Sequence, residues 1–218
     1  MIISRGRAYV FVHIPKTGGT AMALALEARA MKDDILIGDT PKARARRGRL
    51  KALTPRGRLW KHSTLADIDG VLSPVELAGM FIFTLVRNPW DRLVSYYHWL
   101  GQQGFDHPAV ARAKALDFSG FLAHPGTQLS LQDNSYGSYL RDVDGVERAG
   151  LFIRLEHLEA DLVPLAAHLG FIPELPRVNE SDRKRDWRGY YSDADAALVG
   201  RICAEDIARF GYGFDPAG

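Results

Sequence analysis

Residues 8–14, Ala-Tyr-Val-Phe-Val-His-Ile, are the first stretch in which apolar and β-branched side chains crowd together. Such a run predicts a buried strand. Pro15 and the pair Gly18-Gly19 end it, and Met22, Leu24, Ala25, Leu26 and Ala28 follow among strong helix formers. The reading is strand, tight turn, helix. Residues 35–38 suggest a second short strand. Residues 80–86, Met-Phe-Ile-Phe-Thr-Leu-Val, form the most apolar run and predict a central strand covered on both faces. Asn88-Pro89 closes that strand, and Trp90 to Leu100 reads as a helix whose first turn tolerates Pro89. Helical spacing recurs over 108–123 and 156–169, with a strand at Leu151 to Leu155 between them. A final helix runs from Ser192 to Phe210, capped by Ser192 or Asp193. Strands alternating with helices predict an α/β fold of three layers, a central mainly parallel sheet flanked by helices.

The length, 218 residues, fits one domain over 1–218 with a basic loop or insertion at about 41–62. Apolar residues at 46% and charged residues at 25% exclude wholesale disorder. Charge adds something that hydropathy hides. There are 28 Lys+Arg against 26 Asp+Glu, yet nine basic residues and no acidic one lie between Asp39 and Asp67. They are Lys42, Arg44, Arg46, Arg47, Arg49, Lys51, Arg56, Arg58 and Lys61. Without them 19 basic residues face 26 acidic ones, so the remainder is acidic. This argues against a uniformly basic nucleic-acid binder and for one local anion-facing or solvated segment. Pro41, Pro55 and intervening glycines predict a loop there, with at most one helical turn. The single cysteine, Cys203, excludes an intrachain disulfide and a multi-cysteine metal site. It shares helical spacing with Leu198, Ile202 and Ile207, which predicts a small buried apolar role. No apolar run is long enough to span a bilayer, and the first residues lack a leader pattern, so a cytoplasmic setting is expected.

Chemistry concentrates in two segments. The first is His13-Ile-Pro-Lys-Thr-Gly-Gly-Thr20, between the first strand and helix. Gly18 and Gly19 permit a sharp turn and close backbone approach. The N–H groups of residues 17 to 20 sit at the positive end of the following helix. Thr17 and Thr20 add hydroxyls, and Lys16 adds a mobile charge. This is a cradle for a multiply charged anion. The G-x-x-x-x-G-K-[ST] order of nucleotide P-loops is absent, since the lysine here precedes the glycines.

The second segment is Val86-Arg-Asn-Pro-Trp-Asp-Arg-Leu-Val-Ser-Tyr-Tyr97. Arg87 leaves the carboxyl end of the strongest strand, the edge where open α/β sheets bind ligands. Ser95 follows on the next helix. Arginine offers a bidentate fork and serine a neutral donor to one phosphate. The plain alternative is an Arg87–Asp91 ion pair with no ligand.

Together the two segments resemble the cofactor signatures of sulfotransferases, specifically the carbohydrate branch of heparan and chondroitin type and its small bacterial members. Arg154-Leu-Glu-His-Leu-Glu-Ala-Asp-Leu162, Val178-Asn-Glu-Ser181, Tyr190-Tyr191 and Asp206-Ile-Ala-Arg-Phe-Gly-Tyr212 also resemble that family, so the likeness runs through nearly the whole chain. It implies a P-loop-like fold and 3'-phosphoadenosine 5'-phosphosulfate (PAPS) as donor, leaving PAP as product, with no metal. Lys16, Thr17, Gly18, Gly19 and Thr20 would hold the 5'-phosphosulfate, with Lys16 acting at the bridging oxygen. Arg87 and Ser95 would hold the 3'-phosphate. Arg183 and Lys184, in a basic cluster with Arg185 and Arg188, would fold over it; a solvated charge run is the alternative. Ala21 departs from the serine common in the family, and Leu155 and His157 replace an aromatic and an Asp/Asn.

The acceptor hydroxyl needs a base, and His62, in Trp60-Lys-His-Ser-Thr-Leu, resembles the family's substrate-side histidine. Its neutral-range pKa class suits proton abstraction. Asp67 and Glu156 are weaker choices; His13 reads as structural and His98 as packing. The expected function is sulfuryl transfer to an acceptor hydroxyl, of a saccharide or anionic glycan, the basic stretch forming the acceptor side. Two other readings stay open: a nucleotide-dependent kinase-like phosphotransferase, and a non-catalytic module binding anions or polysaccharide. The sequence does not fix the oligomeric state.

Overall fold

The structure, a computed structural model, describes residues 1–176 and 186–215. The described residues divide into two compact units, one of residues 1–86 and 136–176, the other of 87–135 and 186–215.

The first unit carries a five-stranded sheet of order β3-β1-β2-β4-β5. Its strands are β1 (Ile2–Ser4), β2 (Tyr9–Val12), β3 (Ile35–Leu36), β4 (Phe81–Val86) and β5 (Leu151–Arg154). The centre is parallel: β2 pairs with β4, and β4 with β5. The edge is antiparallel, since β1 pairs with both β2 and β3. The sequence reading found β2, β3, β4 and β5 but not β1, which is too short to show periodicity. Phe11 and Val10 of β2 stand beside Phe83 and Ile82 of β4. One sheet face presents Ile2, Tyr9, Phe11, Phe83, Leu85 and Ile153 to a core with Met22 and Leu26 of α1 (Gly19–Ala28). Ile3, Val10, Val12, Ile82 and Val86, of opposite parity, are buried too. A strand buried on both faces is expected to read as the continuous apolar runs seen in the sequence.

The basic stretch is more ordered than a loop. It holds α2 (Pro41–Arg46), capped by the Thr40 hydroxyl on the Ala43 N–H, and then a 3-10 turn over Arg47–Ala52. Lys42 Nζ donates to the Glu27 carbonyl, Arg46 to Met31 and Arg49 to Lys32. Lys42 thus meets the last turn of α1, and Arg46 and Arg49 tie the chain that follows it. Next come α3 (Pro74–Ala78), with a Ser73–Glu76 capping box, and, after β5, α8 (Leu158–Asp161) and α9 (Val163–Leu169). The helical spacing at 156–169 is thus two short helices and a preceding 3-10 turn.

The second unit is helical. Here α4 (Pro89–Gly101), α5 (Pro108–Ala115), α6 (Phe118–Ala123) and α7 (Pro125–Asp133) are followed later by α10 (Asp193–Ile202) and α11 (Ala204–Phe210). Trp90, Leu93, Val94, Val110, Phe118, Phe121, Trp187 and Val199 make its core. The spacing over 108–123 breaks at Asp117, whose side chain caps α6 by accepting the Gly120 N–H. The 192–210 segment breaks at Cys203. Cys203 is half-buried against the helical core and not enclosed as expected; the burial it has pushes the thiol up to about 11, so it carries little thiolate at neutral pH. Among the described residues no helix is long and apolar enough to cross a membrane.

Candidate functional site

The turn after β2 is built from backbone. Lys16 sits at φ +67° and Gly18 at φ +84°. For lysine this left-handed conformation costs about 1–2 kcal/mol, and such strain gathers at ligand-binding turns. Thr17 is fully buried, and its hydroxyl donates to the Ile14 carbonyl at 2.9 Å. Its side chain therefore closes the turn, leaving its N–H as the group it can offer an anion. Gly18 is the N-cap of α1 with no side-chain cap, and no acidic residue stands in the first turn. That keeps the positive end of the helix uncompensated.

Both glycines are required for different reasons. A Cβ on Gly18 would lie 3.1 Å from Leu155, just after β5, and its φ of +84° would strain any other residue. A Cβ on Gly19 would lie 2.1 Å from the His13 ring. The imidazole of His13 occupies the space that a side chain there would need. His13 is buried, and burial followed by the nearby His62 holds its pKa well below 6.5. The ring is neutral and structural, as the sequence reading held.

His62 connects to the same residue. Its Nδ1 lies 2.7 Å from the His13 carbonyl oxygen. A carbonyl only accepts, so Nδ1 carries the proton and Nε2 is the basic nitrogen. That is the tautomer a general base needs. The two histidine rings meet edge to face at 4.7 Å, and Trp60 meets His62 at 5.1 Å. The segment is held by Ser63, fully buried, whose hydroxyl accepts the Trp60 N–H and shares its one proton between the carbonyls of Arg58 and Trp60. Sequence reasoning missed this serine and the Gly19–His13 interlock. The only legible hint was a second glycine where the turn needs one.

In the second unit, Arg87 follows β4 directly and opens the approach to α4. Its Nε and Nη2 both reach Asp91 Oδ2, at 2.8 and 2.6 Å. The ion pair expected under the plain alternative is present. An arginine held by one carboxylate oxygen still has a fixed orientation, which suits anion recognition as well. Asn88 caps α4 by accepting the Trp90 N–H. Ser95 lies buried two turns into α4. His98 packs edge-on against Tyr190 at 5.0 Å. Arg183 and Lys184 lie outside the described residues. Asp67 accepts the Thr64 N–H at the start of a 3-10 turn, a structural use. Among the described residues no group of three or more His, Cys, Asp or Glu side chains could hold a metal ion.

No family model and no curated protein matches this chain. Among solved structures it is similar to mouse sulfotransferase SULT7A1 complexed with PAP, with a TM-score of 0.52 and 18% identity. The alignment covers 92% of this chain and 84% of that one. At that identity the likeness is one of architecture: the chain has the P-loop-like α/β fold of a sulfotransferase.

Proposed function

We propose that the protein is a sulfotransferase of the carbohydrate type, moving a sulfuryl group from PAPS to an acceptor hydroxyl. The observation that carries this is the hydrogen bond from His62 Nδ1 to the His13 carbonyl. It ties the His62 segment to the residue that leads into the strained turn, which supports the two acting together. The fold likeness to a sulfotransferase complexed with PAP supports it, as do the two sequence signatures.

The residues present fit such a donor. The amides of residues 17–20 and Lys16 form a positive, backbone-lined turn, and the glycines leave it without side chains. They take the 5'-phosphosulfate, joined by the Thr20 hydroxyl. Arg87, oriented by Asp91, and Ser95 take the 3'-phosphate, with Arg183 and Lys184 assisting. The donor supplies an activated S–O bond to its 5'-phosphate. Lys16 offsets charge that builds on the bridging oxygen as that bond breaks, and the α1 amides share the load. His62 Nε2 takes the proton of the acceptor hydroxyl as its oxygen bonds to sulfur. PAP leaves with the electron pair of the broken bond. Catalysis here is positioning and electrostatics, without a covalent enzyme intermediate.

The test compares thermal stabilisation by PAP and by ATP, with and without magnesium, followed by transfer from labelled PAPS. Stabilisation by PAP alone is expected. Stabilisation only by ATP with magnesium would assign a phosphotransferase instead, and salt-sensitive polysaccharide binding without turnover would assign a binding module. His62→Ala is expected to keep PAP binding and lose turnover by about a hundredfold or more. Unchanged turnover removes His62 from the base role.

A further inference from the structure

Trp60 is 44% exposed, unusual for a tryptophan on a well-anchored segment. The anchoring is dense. The Arg56 N–H donates to the Asp69 carbonyl and the Gly57 N–H to that of Asp67, at 2.8 and 3.0 Å. A Cβ on Gly57 would lie 2.2 Å from Asp67, so the two strands of chain are in close contact there. Ser63 ties the other end by the hydrogen bonds described above. Between these ties the indole meets His62 edge to face, and the exposed Arg58 guanidinium stands 5.9 Å from the indole centroid. Rigid aromatic surface held in solvent costs free energy unless something covers it. Here it lies beside the nitrogen-bearing ring assigned as base, with the Arg58 guanidinium over one of its faces.

We infer that Trp60 and Arg58 form the acceptor subsite, and that the acceptor is a hydroxylated ring bearing an anionic group. The ring face lies on the indole and the anion is taken by Arg58, which brings a ring hydroxyl to His62. Contact with the indole takes either an aromatic plane or the apolar C–H face of a sugar, and the guanidinium supplies the selection for charge. The proton-transfer part of this rests on the proposed sulfotransferase reading; the binding part does not. Two sources share the chemistry, an acidic sugar and a phenolic acid, and the experiment separates them. Arg44, Lys51 and Arg56 are exposed in the same stretch and add positive charge to it.

The experiment measures binding to the full chain with PAP present, by tryptophan fluorescence and calorimetry. The probes are a glucuronic-acid disaccharide, its neutral glucose counterpart, 4-hydroxybenzoate and neutral 4-hydroxybenzamide. One acid is expected to bind at least about tenfold more tightly than its neutral counterpart, and which acid does so names the source. Trp60→Ala is expected to raise its Kd about tenfold, with Trp60→Phe recovering most of the loss. Arg58→Gln is expected to remove the preference for charge and leave the neutral probe unchanged. PAP stabilisation of both variants should match the unaltered protein, which shows that they fold and keep the cradle. Equal binding of the acids by Trp60→Ala, Arg58→Gln and the parent overturns the inference, as does no binding of any acid at millimolar concentration. If PAP fails to stabilise the parent while an acid binds through Trp60, the sulfotransferase reading falls and the subsite stands.

Discussion

Residues 13–20 hold their shape with backbone, whereas residues 87–97 hold theirs with side chains. In the first, Lys16 and Gly18 lie at positive φ, Gly19 yields its side-chain space to His13, and the Thr17 hydroxyl is used on Ile14. In the second, regular helix carries Ser95, and an Arg87–Asp91 pair does the aiming. A backbone-built anion site tolerates almost no change in the residues that shape it. A site built from side chains can be altered one contact at a time. The two should therefore fail differently under mutation.

The largest effect is expected at Lys16, the one long side chain the cradle uses. Lys16→Ala should lower turnover by about a thousandfold with PAP affinity reduced far less, read from single-turnover transfer and PAP titration. Equal losses in both would make Lys16 a binding residue only. Gly19→Ala comes next. Its methyl collides with the His13 ring, so a loss of about 3 kcal/mol is expected in urea unfolding, together with loss of PAP binding. A stable Gly19→Ala protein would break the idea of a backbone-built cradle. Arg87→Ala should weaken PAP by between about tenfold and a hundredfold. It should leave adenosine 5'-phosphosulfate, which lacks the 3'-phosphate, unchanged. Equal weakening of both ligands would remove the 3'-phosphate assignment.

The smallest effect concerns pH. Burial and His62 hold the folded pKa of His13 well below its ordinary 6.5. The fold therefore keeps the neutral ring, and the unfolded chain gains a proton first as pH falls. The contribution is full above 6.5 and declines below it, by at most about 1.4 kcal/mol per pH unit. His13→Asn should flatten this decline. Parallel stability curves for parent and variant between pH 7.5 and 5.5 would mean that His13 ionises freely in the fold.

The same division explains what could be read without coordinates. The central strands β2 and β4 announce themselves because burial on both faces writes an uninterrupted apolar run, while β5, at the edge, shows only the shorter run Leu151–Ile153. The cradle was legible because glycine, lysine and threonine between a strand and a helix have few other uses. β1 was not, since Ile2–Ser4 is shorter than any period. Nor was α7, whose residues Pro125–Asp133 mix polar and apolar positions without a clear stripe. Ser73-Pro-Val-Glu76 carried a capping box that would have placed α3, but so short a helix follows from its cap and not from hydropathy. The Ser63 anchor and the His62–His13 bond join residues distant in sequence, and no local pattern encodes such pairs.

The nine basic residues between Asp39 and Asp67, which on sequence alone read as an anion-facing or solvated stretch, are partly a counterion to α1. Lys42, Arg46 and Arg49 are turned toward the carbonyls at and beyond the end of α1. The other end of α1 opens on residues 17–20. A helix with cations fixed at its negative end and no acid at its positive end behaves as a charged rod insulated at one pole. Its field is directed toward the cradle. On the proposed reading, the basic stretch acts on the cradle through the ten residues of α1, and substitutions there are expected to shift PAP affinity, read by PAP titration.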